Sequence, residues 1–392
     1  MDTQKHRPDT EDVRQLEQAL FETVLNWSAE KLEPGAAQRD ANGHFDYKLY
    51  GELCDELGLT GITLPEELDG AGLDLVAPIM VIEALSRVAP GIAMSYLAHE
   101  LLFTLQLYYS WKDANLLMPE EHFELLRRRP LAGLAMTEAD TGTDVLGMRT
   151  WARPCEDGYI LNGLKAWITN APLADVFLVY ARTGEARRDI SLFLVDGDNP
   201  GLHRGKAEPK MGMHSSPTGS LTFIDCSLPH SALVGRLNDG LRHMLRNLAA
   251  ERLGLAAQAC GISERCFEVM RNYASERQAF GQSIVNFGQI QRLLAESYAM
   301  LKASKSMLSE GLEDLVAGKA NASLDADAVK LFCTQAAETI RRSAIQVLGA
   351  NGYSAEYPVE RLHRDSILLS SGGGTNEALQ KNIARQLTKN LR

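Results

Sequence analysis

The hydrophobic period of this 392-residue chain changes twice along its length, and this change limits the folds that the chain can adopt. Residues 1–130 and 239–392 repeat apolar side chains every three or four positions, the period of an α-helix, whereas residues 131–238 contain short β-branched or aromatic runs. A chain of this length can form two or three domains with substantial cores. The pattern therefore predicts an N-terminal helical domain, a middle β domain and a C-terminal helical domain with these boundaries.

The helical signal is strongest in a few segments. DVRQLEQALFETVLNWSAEKL (12–32) carries apolar residues at helical spacing, and APIMVIEALSRVAPGIAMSYLAHELLFTLQLYY (77–109) is long and strongly apolar. Between them, LPEELDGAGLDL (64–75) has the proline and glycine content of a loop. Two further apolar stripes, which we predict to be core or interface, comprise Leu255, Ala259, Ile262, Cys266, Val269 and Tyr273, and Val329, Phe332, Ala336, Ile340, Ala344 and Val347.

The middle region contains four strand-like runs, YILNGLKAWITN, DVFLVYAR, SLFLVDG and GSLTFIDCSL, bounded by Gly, Asn, Asp or Pro. Such runs are typical of an antiparallel sandwich or barrel. Strands and helices do not alternate along the chain, which argues against a Rossmann fold. The sequence thus predicts the α+β class.

Composition excludes several classes of function. A formal net charge of −11 argues against a general nucleic-acid surface. Six cysteines without CxxC spacing indicate neither a zinc site nor a disulfide framework, and we predict no metal. No run of 18 apolar residues is present, so no membrane span is predicted. The start of the chain, MDTQKHRPDTEDVRQ, is polar and unlike a signal or transit peptide, so we expect a cytoplasmic location.

Two segments near the start of the β region combine polar groups with a large aromatic ring. LAMTEADTGTDVLG (134–147) offers Thr137 and Thr143 in a turn that contains glycine, and Trp167 and Thr169 of WITN (167–170) alternate on a predicted strand, so that both can point the same way. Polar groups beside a flat apolar surface suit a flavin ring. The structural alternatives are a capped strand-to-turn junction and a core tryptophan.

With ERQAFGQSI (276–284) and QVLGANGYSAEYPVERLHRD (346–365), these segments resemble, in order and spacing, the acyl-CoA dehydrogenase family of flavoenzymes. The resemblance covers nearly the whole chain. It implies a helical N-terminal domain, a middle antiparallel β domain and a C-terminal four-helix bundle. It also implies FAD as cofactor, α,β-dehydrogenation of an acyl-CoA to the trans-2-enoyl thioester, and an electron-transfer flavoprotein as the electron acceptor.

The resemblance assigns roles to individual residues. Within one subunit, the implied FAD contacts are Met136, Thr137, Gly142, Thr143, Trp167, Thr169, Thr375 and Glu377. A neighbouring subunit of a homotetramer or dimer would supply Arg277, Phe280, Gln346, Gly349 and Ala350. The implied substrate contacts are Thr143, Arg252 and Gly374. Arg277 suits a pyrophosphate, or is a solvated helix end; Gly349 permits close approach of a dinucleotide, or ends a helix.

SSGGGTNEA (370–378) lacks a carboxylate that the resemblance requires. Many relatives place the catalytic base in an EGT tripeptide shortly after an RD pair, and this alignment puts Gly373 at the position of the Glu. A subgroup that resembles isovaleryl- and long-chain acyl-CoA dehydrogenases takes the Glu from an ER pair on an earlier helix, which matches Glu251-Arg252. The resemblance therefore implies that Glu251 is the base and that the Gly373 N–H binds the thioester oxygen. Alternatively, Glu251 opens a helix and Gly373 is a hinge.

Three alternatives to this function stay open. The substrate could be an acyl or aminoacyl (prolyl-like) group on a carrier protein, the electron acceptor could be oxygen, or the protein could be a flavin-free scaffold. Acyl length is not encoded in any motif. If Ser95, Tyr96 and His99 form the floor of the pocket, the bulk of Tyr96 suggests a short or medium chain.

Overall fold

Seven α-helices make up the first part of the chain in the computed structural model, which describes residues 10–128 and 130–389. Their bounds are α1 Thr10–Trp27, α2 Ala36–Asn42, α3 Tyr47–Asp55, α4 Val76–Ser86, α5 Pro90–Leu97, α6 Leu105–Ala114 and α7 Glu120–Arg128. π-Helical stretches follow α1 at Ser28–Leu32 and α5 at Ala98–Thr104, and a 3₁₀ turn lies at Glu66–Leu68.

The long apolar segment predicted to be helical is divided at Pro90. Helix α4 ends at Ser86, and Pro90 is at the start of α5. Proline has no N–H to donate, so it fits the first turn of a helix and not the interior. The helical prediction is confirmed, but as separate packed helices whose side chains are almost all buried.

Eight strands of the middle part form one sheet, in the order β6-β7-β3-β2-β4-β5-β8, with β1 paired to β4. Their bounds are β1 Ala132–Ala135, β2 Trp151–Cys155, β3 Gly158–Thr169, β4 Val176–Arg182, β5 Ile190–Asp196, β6 Leu202–Arg204, β7 Thr218–Pro229 and β8 Leu233–Val234. Most pairs are antiparallel, as predicted, but β4 runs parallel to β1, with Ala132 opposite Val176, and to β2, with Trp151 opposite Arg182. Short 3₁₀ turns lie at Val145–Gly147 and His230–Ala232.

Long helices dominate the last part of the chain. The elements are α8 Gly240–Glu276, β9 Gln278–Ala279, β10 Gln282–Ser283, α9 Gly288–Val316, α10 Ala322–Leu348, α11 Ala350–Tyr353, α12 Pro358–Ser366 and α13 Asn376–Leu387, with 3₁₀ turns at Ile284–Asn286 and Ile367–Ser370. Helix α10 packs on α8, α9, α12 and α13, and α8 also packs on α4 of the first part. The predicted apolar stripes of α8 and α10 lie mainly in these contacts, which explains their period.

We propose domain boundaries near residues 130 and 238, where the helical and strand elements change over. No helix among the described residues is long and apolar enough to cross a membrane. The cytoplasmic location stays a prediction, since it depends on the N-terminal segment, of which residues 1–9 lie outside the described residues.

Candidate active site

A cavity of about 820 Å³ lies where the three parts of the chain meet. Helix α5 and the π-helical stretch after it line one side, and β1, β3 and the loop after β1 line another. The rest is lined by α8, α13, the turn before α13 and the segment 210–218. The predicted site residues that line this cavity are Met136, Thr137, Gly142, Thr143, Trp167, Thr169, Glu251, Arg252, Gly373, Gly374 and Thr375. The structure thus brings together residues that are up to 239 positions apart in the sequence, from Met136 to Thr375 (375 − 136).

A buried ion pair fixes the loop that follows β1. Lys165 Nζ donates to Glu138 Oε1 and to the Met136 carbonyl oxygen, both at 2.9 Å. Glu138 also accepts the backbone N–H groups of Arg149 and Thr150 at 2.6 and 2.9 Å. Burial lowers the pKa of Lys165 to about 8, and the charge of Glu138 opposes that shift. The loop that carries Thr137 and Thr143 is therefore tied to β3 through Lys165.

Trp167 faces the cavity because β3 contains a bulge. The register between β3 and β7 shifts between Lys165 and Ile168, and Trp167 has a φ of 61°. Bulges of this kind re-aim a side chain and are common next to active sites. The Trp167 side chain is 61% exposed, whereas Ile168 is 2% exposed. The alternative of a core tryptophan is therefore wrong: a flat indole forms part of the cavity wall.

Glu251 lies well inside α8, which begins at Gly240. The alternative that Glu251 opens a helix is therefore wrong. Burial raises the pKa of its carboxyl group, and the positive charges of Arg252 and Lys330 oppose that increase. A carboxyl group in such surroundings takes up a proton more readily than an exposed one.

Gly373 lies directly opposite Glu251. Gly373 and Gly374 have φ angles of 61° and 95°, in the left-handed region that favours glycine. A Cβ at Gly373 would lie 2.6 Å from Leu255 Cδ1 and 3.6 Å from Cδ of Glu251. The position therefore has no room for a longer side chain unless Leu255 moves, and any carboxylate placed there would compete with Glu251 for space.

Arg252 holds the turn that contains Gly373. Its Nε donates to the Gly373 carbonyl oxygen at 3.1 Å, and its guanidinium group forms an ion pair with buried Asp327. Asn382 of α13 also donates to Asp327, at 3.0 Å. The guanidinium of Arg252 lines the cavity, but these contacts already orient it toward the turn.

Most of the apolar wall has no signal in the sequence, and the pocket floor does not lie at the predicted Tyr96. Tyr96 points away from the cavity and donates its hydroxyl to the Leu59 carbonyl oxygen at 2.7 Å, so it is not the floor. Residues three and four apart share one face of a helix, and Met94, Leu97 and Ala98 face the cavity instead. Other residues of the wall to which the sequence assigned no role in the site are Leu102, Leu134, Val145, Lys210, Met213, Met244, Leu248, Leu255, Leu368, Lys381, Asn382 and Arg385.

Six predicted cofactor-binding residues do not line this cavity. They are Arg277, Phe280, Gln346, Gly349, Ala350 and Glu377. Arg277 and Phe280 lie at the hairpin β9–β10, and the Phe280 ring is 95% exposed. Gln346, Gly349 and Ala350 are exposed at the end of α10, and Glu377 is exposed in the first turn of α13. Within one chain, these positions do not complete the site.

Comparison with known proteins assigns the fold and the site to a family. Sequence profiles of the acyl-CoA dehydrogenase N-terminal, middle and C-terminal domains match residues 14–114, 133–226 and 238–388. A mitochondrial isovaleryl-CoA dehydrogenase from Oryza sativa subsp. japonica is 36% identical over 374 residues, 94% of this chain and 90% of that protein. The chain belongs to the acyl-CoA dehydrogenase family.

Solved structures of similar proteins agree with the fold. Butyryl-CoA dehydrogenase from Megasphaera elsdenii superposes with a TM-score of 0.90 at 30% identity, covering 96% of this chain and 98% of that one. The prolyl acyl carrier protein oxidase AnaB superposes with a TM-score of 0.87 at 27% identity, covering 95% and 98%. The predicted three-part fold and family are confirmed.

FAD is the cofactor of this family, and the residues around the cavity fit it. The indole of Trp167 offers a flat surface, and the hydroxyl groups of Thr137 and Thr169 offer hydrogen-bonding groups beside it. Gly142 leaves open space, because a Cβ there would meet no atom within 4 Å. Basic side chains, which suit phosphate groups, lie on the same cavity at Lys210, Lys381 and Arg385.

Proposed function

We propose that this protein is an FAD-dependent dehydrogenase that converts an acyl-CoA to its trans-2-enoyl thioester, with Glu251 as the catalytic base. The observation that carries the proposal is the position of the Glu251 carboxyl group against Gly373, inside a cavity with a flavin-compatible wall. Two hydrogens leave adjacent carbons of the acyl chain, and a carbon–carbon double bond forms between those carbons.

Glu251 accepts the hydrogen at Cα as a proton. The α-proton of a thioester is weakly acidic, so a base works best when its own pKa is raised toward the working pH. Burial of Glu251 produces that increase. Gly373, in the left-handed turn, has no side chain that could cover its N–H group. We infer that this N–H donates a hydrogen bond to the thioester oxygen as negative charge develops there. Bound FAD supplies the acceptor for the hydride that leaves Cβ.

The cavity wall supports an apolar acyl group. Met94, Leu97, Ala98 and Leu255 line it, and none carries a charge or a hydrogen-bonding side chain. The basic residues on the same cavity suit the phosphates of a CoA or of a phosphopantetheine arm equally well. A carrier-bound acyl or aminoacyl group remains the alternative substrate because the structure is similar to that of AnaB, a prolyl acyl carrier protein oxidase.

We infer that the active enzyme is a homo-oligomer, a tetramer or a dimer. Phe280 is 95% exposed and Tyr353, close to the 346–350 segment, is 89% exposed. Large exposed aromatic rings of this kind are enriched at protein interfaces. A neighbouring subunit would then use Arg277, Phe280 and the 346–350 segment to complete the FAD site. We also infer that an electron-transfer flavoprotein reoxidises the flavin.

The test is a panel of acyl-CoA and carrier-bound thioesters added anaerobically to the purified yellow protein. We expect FAD to be released on denaturation, and at least one acyl-CoA to bleach the flavin absorption and yield its 2-enoyl ester. Bleaching by carrier-bound esters alone would favour the alternative substrate. Protein that takes up no FAD, or flavin that no thioester of either kind bleaches, would refute the proposal.

A further inference from the structure

Lys330 is a buried lysine of α10 to which the proposed reaction gives no role. Its side chain is fully buried, and Nζ donates to the carbonyl oxygens of Gly374 at 2.9 Å and Ser370 at 3.4 Å, and to Oδ1 of Asn376 at 3.0 Å. An ammonium group has three protons and no acceptor, so all three protons have partners. Because Ser370 precedes the glycine triplet and Asn376 follows it, Lys330 joins the two ends of the turn.

The turn is thus fixed by cations from two helices. Arg252 of α8 bonds the Gly373 carbonyl oxygen, and Lys330 of α10 bonds the carbonyl oxygen of the next residue, Gly374. Consecutive glycines have little intrinsic preference for one conformation. These two contacts restrain the peptide groups that follow Gly373 and Gly374, and they thus hold the turn in which the Gly373 N–H lies.

The charge of Lys330 also acts on Glu251. It opposes the burial that raises the pKa of Glu251. Burial and the charge of Arg252 lower the pKa of Lys330 itself to about 8, against the opposing effect of nearby carboxylates; the ammonium form therefore predominates at pH 7. Arg252 acts on Glu251, and the charge of Glu251 in turn raises the pKa of Tyr180. Asp327 and Glu377 act on Lys330, and Lys210, Lys381 and Arg385 line the same cavity.

We propose that Lys330 is a positioning residue for proton abstraction: it holds the turn that presents the Gly373 N–H, and its positive charge keeps Glu251 ionised in a buried site. This inference rests on the proposed role of Glu251. Removal of the charge makes ionised Glu251 less stable, so the base becomes active only at higher pH. Loss of the three hydrogen bonds also loosens the turn, so the maximal rate falls.

The experiment measures anaerobic flavin reduction by stopped flow from pH 5.5 to 9 in wild-type protein and in Lys330→Met. We expect the acid limb of the profile to move up by about half a pH unit or more, the direction expected when an opposite charge is removed. We also expect the maximal rate to fall roughly tenfold or more, because small misplacements at reacting groups are costly. FAD content per chain should stay that of wild type.

Lys305→Met is the matched control. Lys305 is a partly buried lysine of α9 that pairs with Glu83 and Glu264, away from the cavity. Its loss should lower thermal stability without a shift in the pH profile. If Lys330→Met does not fold, Asn376→Asp takes its place as the test of the Lys330 charge. Aspartate has nearly the size of asparagine, and its negative charge offsets that of Lys330 while the lysine side chain is retained.

The outcomes separate the inference from the function on which it rests. A Lys330 variant (or Asn376→Asp) whose pH profile superimposes on that of wild type would overturn the positioning role, even if its stability falls as in Lys305→Met. Glu251→Gln is measured alongside. If that variant reduces flavin at the wild-type rate, the assignment of the base fails, whatever Lys330 does.

Discussion

Replacement of Gly373 by alanine tests the geometry of the turn opposite Glu251. A non-glycine residue at a φ of 61° costs about 1–2 kcal/mol. The new Cβ would lie 2.6 Å from Leu255 Cδ1, so the Leu255 side chain must shift, at a cost of about 0.5–1.5 kcal/mol. Together these terms predict a strain of about 1.5–3.5 kcal/mol in the folded state, which lowers the free energy of unfolding.

Gly372→Ala is the control for this measurement. Gly372 lies outside the left-handed region, and its added Cβ would be 3.6 Å from its nearest neighbours, which is ordinary van der Waals contact. Both substitutions reduce the entropy of the unfolded chain by the same amount, a stabilising effect of about 0.4–1 kcal/mol. The difference between the two variants therefore isolates the strain at Gly373.

Urea unfolding followed by tryptophan fluorescence, at one protein concentration and with saturating FAD, gives the stability of each variant. Gly373→Ala should unfold at a lower urea concentration than Gly372→Ala, and it should also reduce flavin more slowly, because its methyl group enters the space beside Glu251. Equal midpoints and equal rates for the two variants would refute the described turn.

The proposed oligomer, the Lys165–Glu138 ion pair and the position of Gly373 each give a further prediction. Dilution to monomer should release FAD, since Arg277 and Phe280 do not reach the cavity of their own chain; a monomer with full FAD occupancy in size-exclusion chromatography would contradict this. Lys165→Met leaves buried Glu138 without its cation, at a cost of about 3–5 kcal/mol in stability. Calorimetry should therefore show a lower Tm, and titration should show weaker FAD binding. An unchanged Tm would count against the ion pair. Gly373→Glu should restore part of the flavin-reduction rate of a Glu251→Gln protein, whereas no recovery despite normal FAD content would show that the two positions are not exchangeable.

The sequence was sufficient for the order of the three parts, because the hydrophobic period reports which face of each element is buried. It also indicated that Glu251 supplies the carboxylate that is absent at Gly373, although only through the family resemblance. The structure adds the reason: the two residues are 122 positions apart (373 − 251), yet a Cβ at Gly373 would nearly touch the Glu251 carboxyl carbon.

Other parts of the site had no local signal. The bulge that turns Trp167 toward the cavity depends on the pairing of β3 with β7, a contact between segments about 50 residues apart. Lys330 sits in an ordinary helical pattern, and its role depends on the carbonyl oxygens of a turn in another segment. The prediction that Tyr96 forms the pocket floor was wrong because the helical period shows only that a face is buried. It does not show whether that face lies against a cavity or against the loop at Leu59.

The central claim is that Glu251 is the base, and stopped-flow reduction of the flavin in Glu251→Gln tests it most directly. Glutamine nearly preserves the volume of the side chain, so FAD content and thioester binding should be retained. Loss of a general base typically costs ~10²–10⁴-fold in rate, and we expect flavin reduction to slow by that factor at pH values above the acid limb of the wild-type profile. Reduction at the wild-type rate would show that the base lies elsewhere and would contradict the account.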